Sequence, residues 1–180
     1  NENKYVFNCM NTDKICIFTD TGKMHTIKAV DIPLGRFRDK GTPVDNLSNY
    51  DSSQERMLYV APVGQLRSDR LLFVTKTSMC KLVEGAEFDV AKRTIASTKL
   101  ADEDELIFIG SASEMEQIVL QSHGGCFLRF LTQEVSTMKK TALGVRGMKL
   151  ADDDYLEHAY LLAGHQEYTI SYHDKEYALN

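Results

Sequence analysis

ICIFTDTGKMHTIKAVDIP, from Ile15 to Pro33, decides the fold of this chain. Two apolar, β-branched runs flank Thr21-Gly22, a dipeptide suited to the tight turn of a β-hairpin, where φ > 0 is often required. Helical periodicity is poor. The same layout returns as LLFVTKTSMCKLVEGAEFD (Leu71 to Asp89) and as IVLQSHGGCFLRFLTQEVS (Ile118 to Ser136). A shorter copy, YTISYHDKEYALN, runs from Tyr168 to Asn180. The starts at 15, 71, 118 and 168 are spaced by 56, 47 and 50 residues. A period of about 50 belongs to propeller blades rather than to helical solenoids.

The segment after each hairpin also repeats. KGTPVDNLSNYDSSQERMLYVAPV begins at Lys40, RTIASTKLADEDELIFIGSA at Arg93 and GVRGMKLADDDYLEHAYLLAG at Gly144. In each, a leucine (Leu47, Leu100, Leu150) precedes an acidic turn and then an apolar closing strand: Met57 to Val63, Leu106 to Ile109 and Leu156 to Leu162. A unit therefore supplies about four strands: a hairpin, a connecting strand after a basic loop, and the closing strand. The expectation is an all-β fold of four-stranded, propeller-like blades in a single repeat domain over residues 1–180. Its blade units lie at about 15–63, 71–112 and 118–164. A partial blade starts at 168–180, and residues Tyr5 to Met10 read as one more closing strand, able to pair with the terminal hairpin. Pro33, Pro43 and Pro62 sit at the ends of strand-like runs, where a missing N–H is tolerated.

Charge is unevenly placed. The chain carries 21 Lys and Arg against 26 Asp and Glu, a net charge of -5, which taken as an average speaks against nucleic-acid binding. The loops between hairpin and connecting strand reverse that sign. GRFRDKG (Gly35 to Gly41) holds Arg36, Arg38 and Lys40; Ala91 to Lys99 holds Lys92, Arg93 and Lys99; Lys139 to Lys149 holds Lys139, Lys140, Arg146 and Lys149. These ten cations are accompanied by one acid, Asp39. Stacked around a ring, equivalent loops fall on one rim, and a basic rim on an acidic body is an electrostatic track for phosphates. Binding there is backbone-directed, and six to ten phosphate contacts give a log–log salt slope of roughly -5 to -9. Arg146, with Gly144 and Gly147 leaving it open on both sides, is the leading single candidate for a phosphate contact.

Other chemistry is not legible. His25, His123, His158, His165 and His173 show no zinc-ligand spacing. No G-x-x-x-x-G-K-[ST] loop occurs, most tyrosines lie in strand-like runs as core aromatics would, and Asp152 to Asp154 read as a solvated turn rather than a metal site. Cys9, Cys16, Cys80 and Cys126 form no C-x-x-C pair and read as buried free thiols, which favours the cytoplasm. No apolar run approaches the roughly 20 residues of a membrane helix, so no membrane partner is expected.

GVRGMKLADDDYL (Gly144 to Leu156) after a glycine-turned hairpin resembles the C-terminal domain of the A subunit of bacterial type IIA topoisomerases, the family of DNA gyrase and topoisomerase IV. TDTGKMHTIKAVDIP (Thr19 to Pro33) with KGTPVDNL (Lys40 to Leu47), and FVTKTSMCKLVEGAEFD (Phe73 to Asp89) with STKLADEDEL (Ser97 to Leu106), match further blades, so the resemblance covers essentially the whole chain. It implies a β-pinwheel, a disc whose blades exchange strands with their neighbours, and a basic outer rim that binds and bends duplex DNA. The ten cations named above fall on that rim. It implies no catalysis and no cofactor in this part. The DNA-breaking tyrosine belongs to the rest of the A subunit, and ATP, with Mg2+, is used elsewhere in the enzyme, ATP hydrolysis lying in the B subunit. The gyrase box, of the form QRRGGKG, is absent, Ser78 replaces the turn glycine of the second hairpin, and about three blades are fewer than gyrase carries, as in a fragment. The rival readings are a protein-interaction propeller without DNA binding, which expects an apolar patch on the disc face, and a propeller enzyme, for which no residue set is visible.

Overall fold

In a computed structural model that describes residues 4–164 and 168–179, the first hairpin forms where its sequence predicts. Strands β1 (Lys14–Thr19) and β2 (Lys23–Lys28) pair antiparallel around Gly22, whose φ is +76°. The closing strand β3 (Met57–Pro62) lies along the other edge of β1. The second unit repeats this with β4 (Arg70–Thr75) and β5 (Met79–Glu84), followed by the short strand β6 (Thr94–Ala96) and the closing strand β7 (Leu106–Ser111). The third has the hairpin β8 (Gln117–Ser122) and β9 (Phe127–Leu131), then β10 (Val145–Arg146) and β11 (Leu156–Leu162). A last hairpin joins β12 (Tyr168–Tyr172) to β13 (Lys175–Leu179).

The sheets do not coincide with the sequence units. Their strand orders are β3-β1-β2-β6, β10-β5-β4-β7, β11-β8-β9 and β12-β13. Each connecting strand leaves its own unit and completes the preceding blade: β6 pairs with β2, and β10 with β5. This is the strand exchange that the resemblance implies. The closing strands β3, β7 and β11 hold one edge of their sheets and pack β3 on β7 and β7 on β11. Those edges therefore converge, and the exchanged strands β6 and β10 occupy the opposite, outer edges.

Cores lie between blades rather than within them. One core joins the first two blades through Phe18, Phe73, Phe88, Leu66 and Leu106; a second joins the next pair through Leu72, Leu82, Ile118, Leu120 and Leu156. Strand β4 serves both, with Leu71 and Phe73 facing one core and Leu72 and Val74 the other. Burial on both faces explains why its sequence is an unbroken apolar run instead of an alternating one.

Several expectations need correction. Residues Tyr5 to Met10 form no strand. Their apolar run lasts only through Phe7, and instead of a ladder the Tyr5 hydroxyl donates to the Leu58 carbonyl (2.7 Å) while its ring meets Tyr59 edge-on. Among the described residues β12 and β13 pair only with each other, so the segment and the terminal hairpin do not join. The connecting segment of the first unit is not a strand either: Gly35, Gly41 and Pro43 interrupt it, and Val44–Asn46 is a 3₁₀ turn. Of the four cysteines only Cys16 and Cys80 are buried, and burial pushes their thiols up to about 11 and about 12; Cys9 and Cys126 are exposed. His123 and His158 are exposed, as expected of turn and edge positions, and His165 lies outside the described residues.

Candidate nucleic-acid interface

The two loops that end in exchanged strands run along the outer edges of the first and second blades. Residues 91–99 are anchored on the first: the Thr26 amide donates to the Arg93 carbonyl (2.8 Å), β6 pairs with β2, and the Ser97 amide donates to the Gly22 carbonyl (2.8 Å). Residues 137–148 are anchored on the second through the Met138 amide to Leu82 O (2.7 Å), β10 against β5, and the Gly147 amide to Ser78 O (2.8 Å). The glycines of this loop serve close approach. A Cβ on Gly144 would stand 2.8 Å from the Cys80 carbonyl oxygen, and one on Gly147 2.7 Å from Cys80 Sγ. They let β10 reach β5, a different use from keeping Arg146 open.

Ser78, the residue in the glycine's place, adopts φ +71° and is fully buried. Its hydroxyl accepts the Met148 amide at 2.7 Å. Left-handed backbone is uncommon for a residue with a Cβ, and here the serine supplies an acceptor that glycine lacks.

The acidic turns are clamps. Asp154 Oδ1 accepts the Gly124 and Tyr155 amides, both at 2.8 Å, and the Ser122 hydroxyl and Gly124 amide hold its carboxyl below the usual range. Asp104 likewise takes the Thr77 hydroxyl (2.6 Å) and amide (3.1 Å). Each ties a hairpin turn to the start of a closing strand, so these acids are spent inside the fold.

Of the ten sequence-predicted cations, Arg36, Arg38, Lys40, Lys92, Arg93, Lys99, Lys139, Arg146 and Lys149 are exposed and Lys140 is half-buried. Six of them lie on the two anchored segments, and Lys149 directly follows the second. Arg36, Arg38 and Lys40 sit on the unpaired loop of the first unit, where Arg38 stacks over the Phe37 ring at 5.4 Å. Lys139 and Lys140 converge on Glu87 of the second blade. Lys139 Nζ lies 3.4 Å from Glu87 Oε1, the Lys140 amide donates to Glu87 Oε2 (3.0 Å) and its Nζ to the Glu87 carbonyl (3.2 Å). Burial raises the Glu87 carboxyl, but the Lys140 amide and the two ammoniums outweigh it and hold the group below its ordinary value. Arg93 donates to the Leu47 carbonyl at 3.2 Å. Arg36, Lys40, Lys92, Lys99, Arg146 and Lys149 have no side-chain ion pair among the described residues, so their charge faces solvent.

Sequence reasoning missed two residues beneath this edge. Lys81, only 1% exposed, donates from Nζ to the carbonyls of Lys139 (3.3 Å), Lys140 (3.0 Å) and Ala142 (2.6 Å) and lies over the Phe73 ring. Burial pushes its ammonium down to about 8, against an opposing pull from Glu87. In the first blade His25, also 1% exposed, bridges Thr94 Oγ1 (2.9 Å) and the Glu55 carboxylate (2.7 Å). The one signal for them is positional: both lie third in the second hairpin strand, Lys81 within the apolar run Met79 to Val83 and His25 between Met24 and Thr26.

A family model described as the DNA gyrase C-terminal domain, a β-propeller, matches residues 13–52, 69–113 and 116–163, one match for each hairpin unit. The chain is 31% identical over 144 residues to the A subunit of DNA gyrase from Salmonella typhimurium, covering 79% of this chain and 16% of that one. It is 29% identical over 153 residues to the A subunit of DNA topoisomerase 4 from Bacillus subtilis, covering 83% and 19%. It therefore spans less than a fifth of the length of these relatives. Among solved structures, the C-terminal domain of DNA topoisomerase IV superposes with a TM-score of 0.80 at 25% identity, over 87% of this chain and 49% of that one. The E. coli ParC C-terminal domain superposes at 0.76 with 13% identity, over 95% and 70%, a likeness of fold alone.

Proposed function

The chain belongs to the DNA gyrase C-terminal domain family, and on that premise we propose that it is a duplex-DNA-binding and bending module of a bacterial type II topoisomerase, carried on the A subunit. The observation that carries this reading is the placement of the exposed cations along the outer edges, while one acid of each acidic turn, Asp104 and Asp154, is tied to backbone amides of the fold. Such a surface takes phosphates one by one along a duplex and reads little of its sequence. The module performs no bond chemistry of its own and needs no cofactor. Strand breakage belongs to the remainder of the A subunit and ATP hydrolysis, with Mg2+, to the B subunit, its partners in a cytoplasmic enzyme. By bending duplex onto the enzyme, the module contributes to supercoiling, relaxation or decatenation.

Lysine acetylation with and without a linear duplex, read by mass spectrometry, tests the placement. Lys92, Lys99, Lys139 and Lys149 are expected to be protected, and Lys4 and Lys175 to react equally in both samples. Uniform reactivity with bound duplex present would rule out the rim as the contact surface. A protein-interaction scaffold would show no retention of duplex at all.

A further inference from the structure

We infer that His25 and Lys81, at equivalent positions of the first two blades, are positioning residues: buried latches that hold the incoming basic segment of the next unit where it presents its cations. The inference rests on the proposed DNA-binding role and adds to it the residues that set the geometry of the edge.

The equivalence comes from the hairpin turns. Counting from Gly22, Ser78 and Gly125, the third residue is His25, Lys81 and Leu128. His25 faces Thr94 across the β2–β6 ladder and bonds its hydroxyl, next to Arg93. Lys81 gathers three carbonyls of residues 139–142, the stretch that carries Lys139 and Lys140. Leu128, on a blade that receives no exchanged strand within the described residues, is 36% exposed and apolar. The polar residue thus accompanies the exchanged segment.

Packing alone does not call for an ammonium here. Burying a charge is costly, and apolar residues of similar volume replace buried charges without loss in many folds. What Lys81 provides is three N–H donors aimed at three carbonyls, which fixes a loop whose own backbone bonding is sparse. The charged group facing it is Glu87, from the turn after β5; the lysine-bearing loop contributes neutral backbone carbonyls and β4 the Phe73 ring.

Lys81→Met in the full chain tests the latch, with Lys81→Gln, which keeps donors for a carbonyl, as the second variant. Three readouts are taken: the melting temperature, hydrogen exchange of the Lys140 and Ala142 amides, and duplex affinity by anisotropy. The latch predicts a melting temperature within a few degrees of the unsubstituted chain, at least ~10-fold faster exchange at those amides, and duplex binding weakened by about 3- to 10-fold, with Lys81→Gln between. Unchanged exchange and affinity, or an affinity loss that tracks the melting temperature through both variants, would overturn it. If Lys81→Met does not fold, Lys81→Gln decides on the same readouts. Failure of the unsubstituted chain to bind duplex would strike the proposed function instead, while the exchange data would still judge the latch.

Discussion

Reversing three charges together, Lys139→Glu, Lys140→Glu and Arg146→Glu, is expected to abolish most duplex binding and to flatten its salt dependence. Each phosphate contact contributes about 0.9 to the log–log salt slope, so losing three makes the slope shallower by about 2.7. Between 50 and 200 mM salt, the affinity drop then shrinks by about 40-fold relative to the unsubstituted chain. Lys139 and Lys140 also hold Glu87, so reversal adds like-charge repulsion at the loop's anchor. The neutral set Lys139→Gln, Lys140→Gln and Arg146→Gln separates the two effects, because it removes phosphate contacts without that repulsion. An unaltered slope in the neutral set would show that these cations do not meet phosphate.

The largest expected effect on stability is at Phe18. Its side chain is fully buried between the first two blades, with ring centroids 4.9 Å from Phe88, 6.3 Å from Phe73 and 6.1 Å from Tyr59. Phe18→Ala removes aromatic contacts to both blades and leaves a cavity that a rigid sheet pair cannot close, for a loss of about 3–5 kcal/mol. Against a typical total of roughly 5–15 kcal/mol this is a large share. Urea unfolding followed by circular dichroism measures it. A loss below about 1 kcal/mol would mean that the core between these blades contributes little to holding them.

Much of this architecture is legible in the sequence because the first strands of the first three hairpins, β1, β4 and β8, are buried on two faces. ICIFT and LLFVT read as unbroken apolar runs, and the turn residues between them set the hairpins. The exchange of strands is a different matter. Thr94–Ala96 and Val145–Arg146 are three and two residues long, too short for any periodicity, and their partners lie in another unit. The family resemblance supplied the exchange; residue spacing did not. Tyr5, Val6 and Phe7 show the converse error, a brief apolar run that imitates a strand while the tyrosine hydroxyl docks by a single bond.

The cations are legible as charge but not as geometry. Exposure of Arg146 and Lys149 comes from their setting, whereas the capture of Lys139 and Lys140 by Glu87 required the fold. Lys81 is hidden for a simpler reason: a basic residue in a hairpin strand looks solvent-facing until the edge beside it is known to be occupied. Asp104 and Asp154 likewise read as solvated acids, since nothing in ADEDE or ADDDY names the hairpin turn each one clamps.

The central claim is that duplex DNA is held on the basic outer edge by its phosphates. Measuring the affinity of the unsubstituted chain for a linear duplex from 50 to 200 mM salt tests it most directly. The expected result is a linear log–log plot with a slope of roughly -5 to -9, nearly independent of duplex sequence. A slope near zero, or no binding at 50 mM salt, would contradict it.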